Sequence, residues 1–97
     1  DMMSPPAYYM EKAALINLGR WLAATWGPHG IRVNTISPGG FYAGQDPAFV
    51  NRYEACTFLG RMAVEDDVKG LVVFLASDAS SYLTGENIVL DGGYTAH

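Results

Sequence analysis

Two side chains near the start of the chain could together transfer a proton. Tyr8 and Lys12 are four residues apart, so on a helix they would share one face. A phenol is a poor acid or base near neutral pH, but a neighbouring ammonium favours its phenolate form and makes it usable in proton transfer. Taken alone, a Tyr-x-x-x-Lys pair is usually a packing contact. Tyr9 would lie elsewhere on the helix surface, and we interpret it as structural.

A second candidate is a strand that ends in proline and glycine. Residues 31–36 are short and rich in β-branched side chains, which favours a strand, and Pro38, Gly39 and Gly40 follow. In open α/β sheets ligands bind beyond the carboxyl ends of the strands, and glycine there lets the backbone approach a flat ligand. By themselves these residues fit an ordinary tight turn better.

The elements that must position these residues follow from periodicity and turn signals. Apolar residues recur at helical spacing from residue 7 to about residue 26, and Ser4 before two prolines is a candidate cap for that helix. A short helix is predicted over 47–55, a longer one from the acidic residues 65–67 to about residue 77, and a second strand over 87–90. A strand, a crossover helix and a strand form a βαβ unit, which predicts a parallel pair without an internal domain boundary.

Composition limits the classes of protein to consider. Hydrophobic residues make up 49% of the 97 residues and charged residues 16%, which excludes a disordered tail. Six basic against ten acidic residues leave a net charge of −4 without a basic cluster, so we expect no nucleic acid or membrane partner. The longest apolar run, 71–76, is far shorter than the roughly 20 residues of a membrane helix. A single cysteine excludes a cysteine-based metal cluster. We expect a soluble, cytoplasmic, globular segment with no metal site.

A series of short motifs runs along the chain: Tyr8-x-x-x-Lys12, Arg32-Val33-Asn34, Ser37-Pro38-Gly39, Gly60-Arg61-Met62, Glu65-Asp66-Asp67-Val68, residues 74–78, Thr84-Gly85 and Asp91-Gly92-Gly93. In this order and spacing, they resemble the motifs of the short-chain dehydrogenase/reductase (SDR) family. The resemblance covers essentially the whole chain. It implies an α/β fold, the C-terminal part of a Rossmann-like doubly wound parallel sheet.

The resemblance also implies roles for individual residues. Tyr8 would be the catalytic proton donor or acceptor for the substrate, and Lys12 would support it electrostatically and bind the nicotinamide ribose. Tyr8 and Lys12 would each contact the cofactor as well. Pro38 and Gly39 would line the nicotinamide ring, and the backbone near Phe41 would meet its carboxamide.

By the same resemblance, residues 41–59 correspond to the variable substrate-binding loop. Gly40, Phe41 and Tyr42 are its candidate substrate contacts. The aromatic side chains of this loop could contact substrate or pack within the closed loop. Many family members carry a cofactor-contacting threonine two positions beyond Phe41, where this chain has Ala43.

The resemblance further implies that residues 1–97 are the C-terminal segment of a single SDR domain. Family members open with a Gly-rich dinucleotide-binding motif, which is not found in this sequence. Their catalytic serine lies farther from the tyrosine than Ser4 lies from Tyr8. We therefore expect both features before Asp1.

The implied function is an oxidoreductase that uses NAD or NADP to interconvert an alcohol and a carbonyl by hydride transfer. Its partners would be a small-molecule alcohol or ketone and further copies of itself, as a dimer or tetramer. The alternative is a non-catalytic segment that contributes only packing and oligomer contacts. As an isolated polypeptide the chain fits this alternative better.

Overall fold

The computed structural model describes residues 5–97 and contains three helices and two strands within them. In chain order they are α1 (Pro6–Trp26), β1 (Thr35–Pro38), α2 (Pro47–Ala55), α3 (Glu65–Ala76) and β2 (Asn87–Leu90), with single 3₁₀ turns at Gly27–His29 and Asp78–Ser80. The predicted order of elements is confirmed. Ser4, the predicted cap of α1, lies outside the described residues.

The two strands pair in parallel. The Thr35 amide donates to the Glu86 carbonyl at 2.8 Å, and the Gly39 amide donates to the Leu90 carbonyl at 2.8 Å, so both strands run in the same direction. Because α3 lies between them in the chain, they form the predicted βαβ unit. Their carboxyl ends therefore lie at the same edge of the sheet.

The first strand begins later than the sequence pattern indicates, at Thr35 instead of residue 31. The residues before it are held by the turn that precedes β2. Asn34 donates from Nδ2 to the Leu83 carbonyl at 2.9 Å and accepts from the Glu86 amide at 3.2 Å. Side-chain hydrogen bonds thus replace a strand ladder here, and the β-branched pattern could not distinguish the two.

The described residues form two compact units. The first contains the described residues up to Thr35 together with Ser81–Asn87, and the second contains Ile36–Ser80 and Ile88–His97.

In the first unit, α1 approaches the start of β1 through small residues. Gly19 and Ala23 are its buried positions, and a Cβ at Gly19 would lie 2.6 Å from Thr35 Oγ1. Ala23 Cβ is 3.5 Å from the place a Cβ would take at Gly85. The small residues Gly19 and Ala23 thus allow this close approach.

In the second unit, caps and side-chain bonds define the ends of the helices. Asp46 caps α2 by accepting from the Ala48 amide at 2.9 Å. The acidic first turn of α3 is confirmed, and its Asp67 accepts from the Val64 amide at 2.8 Å. Beyond α3, the buried Ser80 hydroxyl donates to the Leu75 carbonyl at 3.0 Å.

The described residues bury few side chains by themselves. Met62 and Ala23 are the buried hydrophobic residues among them, whereas Trp21 on α1 and Val73 on α3 are largely exposed. None of the helices within residues 5–97 combines the length and apolar character needed to cross a membrane.

We expect the 97-residue polypeptide alone not to unfold cooperatively as a monomer. Two strands are too few for independent stability, and a parallel sheet needs cover on both faces. Thermal melting followed by circular dichroism, with the oligomeric state determined by analytical ultracentrifugation, checks this. A sharp melting transition from a species that sediments as a monomer would contradict the expectation.

Candidate functional site

The predicted acid–base pair lies in the first turns of α1. Lys12 Nζ is 5.5 Å from the centre of the Tyr8 ring, within the range of a cation–π contact, so the two side chains share a face as the spacing predicts. Tyr8 is 46% exposed and therefore accessible to another molecule. Tyr9 contacts the Tyr8 ring edge-on, with the ring centres 5.8 Å apart. The geometry places a cation beside an accessible phenol.

The glycines after β1 are required by packing within the second unit. A Cβ at Gly39 would lie 2.8 Å from Asp91 Cβ, and a Cβ at Gly40 would lie 2.6 Å from Tyr53 Cζ. Neither position could carry a larger residue without displacing its neighbour. Close packing against these neighbours is therefore a direct physical reason for glycine in this tight turn, in addition to any approach of a ligand.

Hydrogen bonds hold the backbone on both sides of Phe41. The Ala63 amide donates to the Gly40 carbonyl and the Tyr42 amide donates to the Ala63 carbonyl, both at 2.9 Å. The Gln45 side chain donates to the Phe41 carbonyl and accepts from the Ala43 amide, both at 2.8 Å. Among the residues that the structure describes, the Phe41 amide has no acceptor. It is a donor on a fixed backbone that a ligand could use.

A cavity of about 100 Å³ lies beside these strand ends. Gly39, Gly40 and Tyr53 line one part of it, and Arg61 and Asp67 line another. Pockets for cofactor-sized ligands usually measure about 300–1,000 Å³. The cavity is thus too small to hold a dinucleotide.

An ion pair connects two of the sequence motifs. Arg61 donates from Nη1 and Nη2 to the two carboxylate oxygens of Asp67 at 2.7 and 2.8 Å, and from Nη1 to the Met62 carbonyl at 3.1 Å. The hydrogen bond from Arg61, followed by the bond from the Val64 amide, holds the pKa of Asp67 well below its usual range. The same pair raises the pKa of Arg61. It joins the start of α3 to the preceding loop.

Asp91 organises the turn after β2. One carboxylate oxygen accepts from the Thr95 hydroxyl at 2.6 Å and from the Thr95 amide at 3.0 Å, and the other accepts from the Gly93 amide at 2.9 Å. The bond from the Thr95 hydroxyl is the largest cause of a lowered pKa at Asp91. Gly92 and Gly93 have φ values of 63° and 91°, which explains why glycines follow this aspartate.

The aromatic residues of the loop divide into packed and exposed ones. Tyr53 stacks on Tyr94 with ring centres 4.7 Å apart and an interplanar angle of 21°, and Phe49 lies 6.1 Å from Tyr53. Tyr42 is 58% exposed, and Phe41 is 36% exposed. Phe49 and Tyr53 thus pack within the protein, whereas Tyr42 remains accessible.

The structure brings together the predicted residues within each unit. Tyr8 and Lys12 belong to the first unit, and residues 38–42 belong to the second. Sequence reasoning did not single out Gln45, which braces the backbone around Phe41. It also missed the ion pair between Arg61 and Asp67. The available signal was Asp67 itself, because an acidic side chain at the third position of a helix often caps that helix.

Comparison with known proteins identifies the family. A family model described as enoyl-(acyl carrier protein) reductase matches residues 2–95. A short chain dehydrogenase from Leptospira borgpetersenii, crystallised with bound NAD⁺, is 47% identical and superposes with a TM-score of 0.92 over 98% of this chain and 39% of its own. The chain belongs to the short-chain dehydrogenase/reductase family, and its α/β fold class is confirmed.

Curated relatives support the same assignment. Sorbose reductase from Candida albicans is 40% identical over 92 residues, which are 91% of this chain and 33% of that protein. D-arabinitol 2-dehydrogenase (ribulose-forming) from Candida tropicalis is 41% identical over 95 residues, which are 90% of this chain and 34% of that protein. The chain spans about a third of the length of these relatives.

We expect Asp67→Asn to lower the melting temperature of the full-length protein at pH 7. Because the folded-state pKa of Asp67 is lowered, its contribution to stability is present above the unfolded-state pKa of about 3.9 and is lost as the pH falls through the folded-state value. The difference in melting temperature between wild type and variant should therefore shrink below about pH 4. Melting curves from pH 7 downward test this.

Asp66→Asn is the matched control, because Asp66 lies in the same helical turn but its side chain is mostly exposed. Within the described residues its ion-pair partner is Lys69, with Nζ at 3.7 Å, and a surface pair of this kind contributes little. The melting temperature of this variant should stay close to that of wild type. A destabilisation by Asp67→Asn that is the same at every pH would show that the carboxylate charge is not its cause.

Proposed function

We propose that this chain supplies the acid–base pair and part of the cofactor site of an NAD- or NADP-dependent oxidoreductase that interconverts an alcohol and a carbonyl. The observation that carries the proposal is the accessible Tyr8 phenol with the Lys12 ammonium 5.5 Å from its ring, in a chain of the SDR family. A phenol beside a cation is suited to exchange a proton with a substrate oxygen.

The relatives support the reaction class and the cofactor. Sorbose reductase is named for the reduction of sorbose and D-arabinitol 2-dehydrogenase for a dehydrogenation that forms ribulose, and the Leptospira dehydrogenase was crystallised with NAD⁺. We extend both properties to this chain: a small-molecule alcohol or ketone as substrate, and NAD or NADP as cofactor. When bound, the nicotinamide would accept or donate the hydride.

The residues at the end of β1 and directly after it would contact the nicotinamide. The Phe41 amide, without an acceptor among the described residues, would donate to the carboxamide of the ring. Pro38 is exposed at the end of β1, and with the Gly39 backbone it would line the ring. Lys12 would bind the ribose hydroxyls. Gln45 holds the Phe41 carbonyl at 2.8 Å and so keeps this backbone in place.

Proton transfer is the part of the reaction that this chain's side chains perform. In reduction, the Tyr8 hydroxyl donates its proton to the oxygen of the carbonyl as negative charge develops there. In oxidation, the Tyr8 phenolate removes the proton of the substrate hydroxyl. The Lys12 ammonium, 5.5 Å from the centre of the ring, would support this proton transfer electrostatically in both directions.

The substrate contacts would come from the exposed end of the same segment. Tyr42 presents an accessible aromatic side chain, and the neighbouring Gly40 and Phe41 place their backbone beside the proposed nicotinamide site. Sugars and sugar alcohols are the first compounds to assay, because two relatives are named for them.

We also propose where the chain lies in the complete protein. The chain would form the C-terminal segment of one SDR domain in a cytoplasmic homo-oligomer, a dimer or a tetramer. The exposed apolar side chains of α1 and α3, such as Trp21 and Val73, support cover by the rest of the protein or by another copy. The same exposure is the observation that favours the non-catalytic alternative, in which only packing matters and Tyr8 is dispensable.

Tyr8→Phe in the full-length protein should lower kcat about 10²–10⁴-fold, the usual contribution of general acid–base catalysis. The change removes only the phenolic oxygen, so the fold and the cofactor affinity should be retained. Lys12→Ala should lower kcat and also weaken cofactor binding, because the ammonium would both support Tyr8 and bind the ribose of the cofactor. Steady-state kinetics with a separate measurement of the cofactor Kd distinguishes these effects.

Tyr9→Phe is the control for this series, since Tyr9 is adjacent and half exposed but has no role in the proposed reaction. Its kinetics should match those of wild type. Near-normal turnover of Tyr8→Phe would refute the acid–base role and favour the packing alternative.

A further inference from the structure

One tyrosine of α2 is hydrogen-bonded to the backbone beside the proposed nicotinamide site. The Gly40 amide donates to the Tyr53 hydroxyl oxygen at 2.5 Å, although the two residues are 13 positions apart. Tyr53 is half-buried and lies near the end of α2. The contact ties a helix of the loop to the end of β1.

The Tyr53 ring is itself fixed by its neighbours. It stacks on Tyr94 with ring centres 4.7 Å apart, and Phe49 from the same helix lies 6.1 Å away. Tyr94 follows the turn that Asp91 organises, and its amide donates to the Asp91 carbonyl at 3.2 Å. An aromatic ring held on two sides keeps its hydroxyl in one place.

Gly40 needs this restraint because it follows another glycine. Two consecutive glycines leave the backbone free to adopt many conformations. The Tyr53 hydroxyl fixes the peptide group before Gly40, and the Ala63 amide, which donates to the Gly40 carbonyl at 2.9 Å, fixes the peptide group after it. The second of these peptide groups contains the Phe41 N–H. Its direction therefore depends on both bonds.

We propose that Tyr53 is a positioning residue whose hydroxyl fixes the backbone of Gly40 and thereby aims the Phe41 amide at the nicotinamide carboxamide. This inference rests on the proposed function and deepens it. Because Tyr53 belongs to the loop that would bind substrate, the order of that loop and the affinity for the cofactor are coupled through one hydrogen bond.

The test is Tyr53→Phe in the full-length protein, which removes the acceptor oxygen and keeps the ring that stacks on Tyr94. NMR of protein labelled isotopically at glycine should show faster hydrogen exchange of the Gly40 amide in the absence of cofactor. The Kd for the nicotinamide cofactor should rise about 3- to 10-fold, the range expected for the loss of one hydrogen bond. At saturating cofactor, kcat should remain within about twofold of wild type.

Tyr82→Phe is the matched control, because Tyr82 is fully exposed and the same atom is removed. It should leave the Gly40 exchange rate, the cofactor Kd and kcat unchanged. The decisive readout is the split between a raised Kd and a retained kcat in Tyr53→Phe, because general damage to the fold would impair both quantities.

Two results would overturn the inference. Unchanged exchange of the Gly40 amide in Tyr53→Phe would show that the hydrogen bond does not restrain this backbone. Faster exchange with an unchanged cofactor Kd would show that the restraint does not position a cofactor donor. Failure of the proposed function has a different signature, since wild-type protein would then bind neither NAD⁺ nor NADP⁺.

Discussion

The parallel register of β1 and β2 is the constraint on which the candidate cofactor site depends. The bond from the Gly39 amide to the Leu90 carbonyl places the two strand ends side by side. Gly39 then lies so close to Asp91 that a Cβ would be 2.8 Å from the aspartate Cβ. Pro38 at the end of β1 is followed by Gly39, which therefore packs against the Asp-Gly-Gly turn after β2. A slip in register would separate them and disorder the backbone around Phe41.

Polar side chains that bind the backbone stabilise the segments between the regular elements. Gln45 closes the loop after Phe41, Asp91 closes the turn after β2, and Asn34 holds the turn before β2. The Arg61–Asp67 pair performs the same task at the start of α3. These bonds matter because the described residues bury little apolar surface of their own. They define local geometry where a large hydrophobic core does not.

The sequence was sufficient to predict the elements that depend on local pattern. Helical periodicity located α1 and α3, and turn residues located α2 and β2. The start of β1 was predicted too early, because Asn34 is held by Leu83, a partner 49 residues away that no local pattern reveals. The Tyr8–Lys12 pair was predictable because the two residues are four positions apart on one helix. The bond between Tyr53 and Gly40 was not, because it joins residues 13 positions apart in different elements.

We propose that Tyr8 exchanges a proton with the substrate while Lys12 contacts the cofactor. A crystal structure of the full-length protein with NAD⁺ and an unreactive substrate analogue tests it most directly. We expect the Tyr8 hydroxyl within about 2.6–3.2 Å of the analogue's oxygen, with Lys12 Nζ at the nicotinamide ribose. A complex in which the analogue is bound beside the nicotinamide while Tyr8 contacts only protein atoms would contradict it.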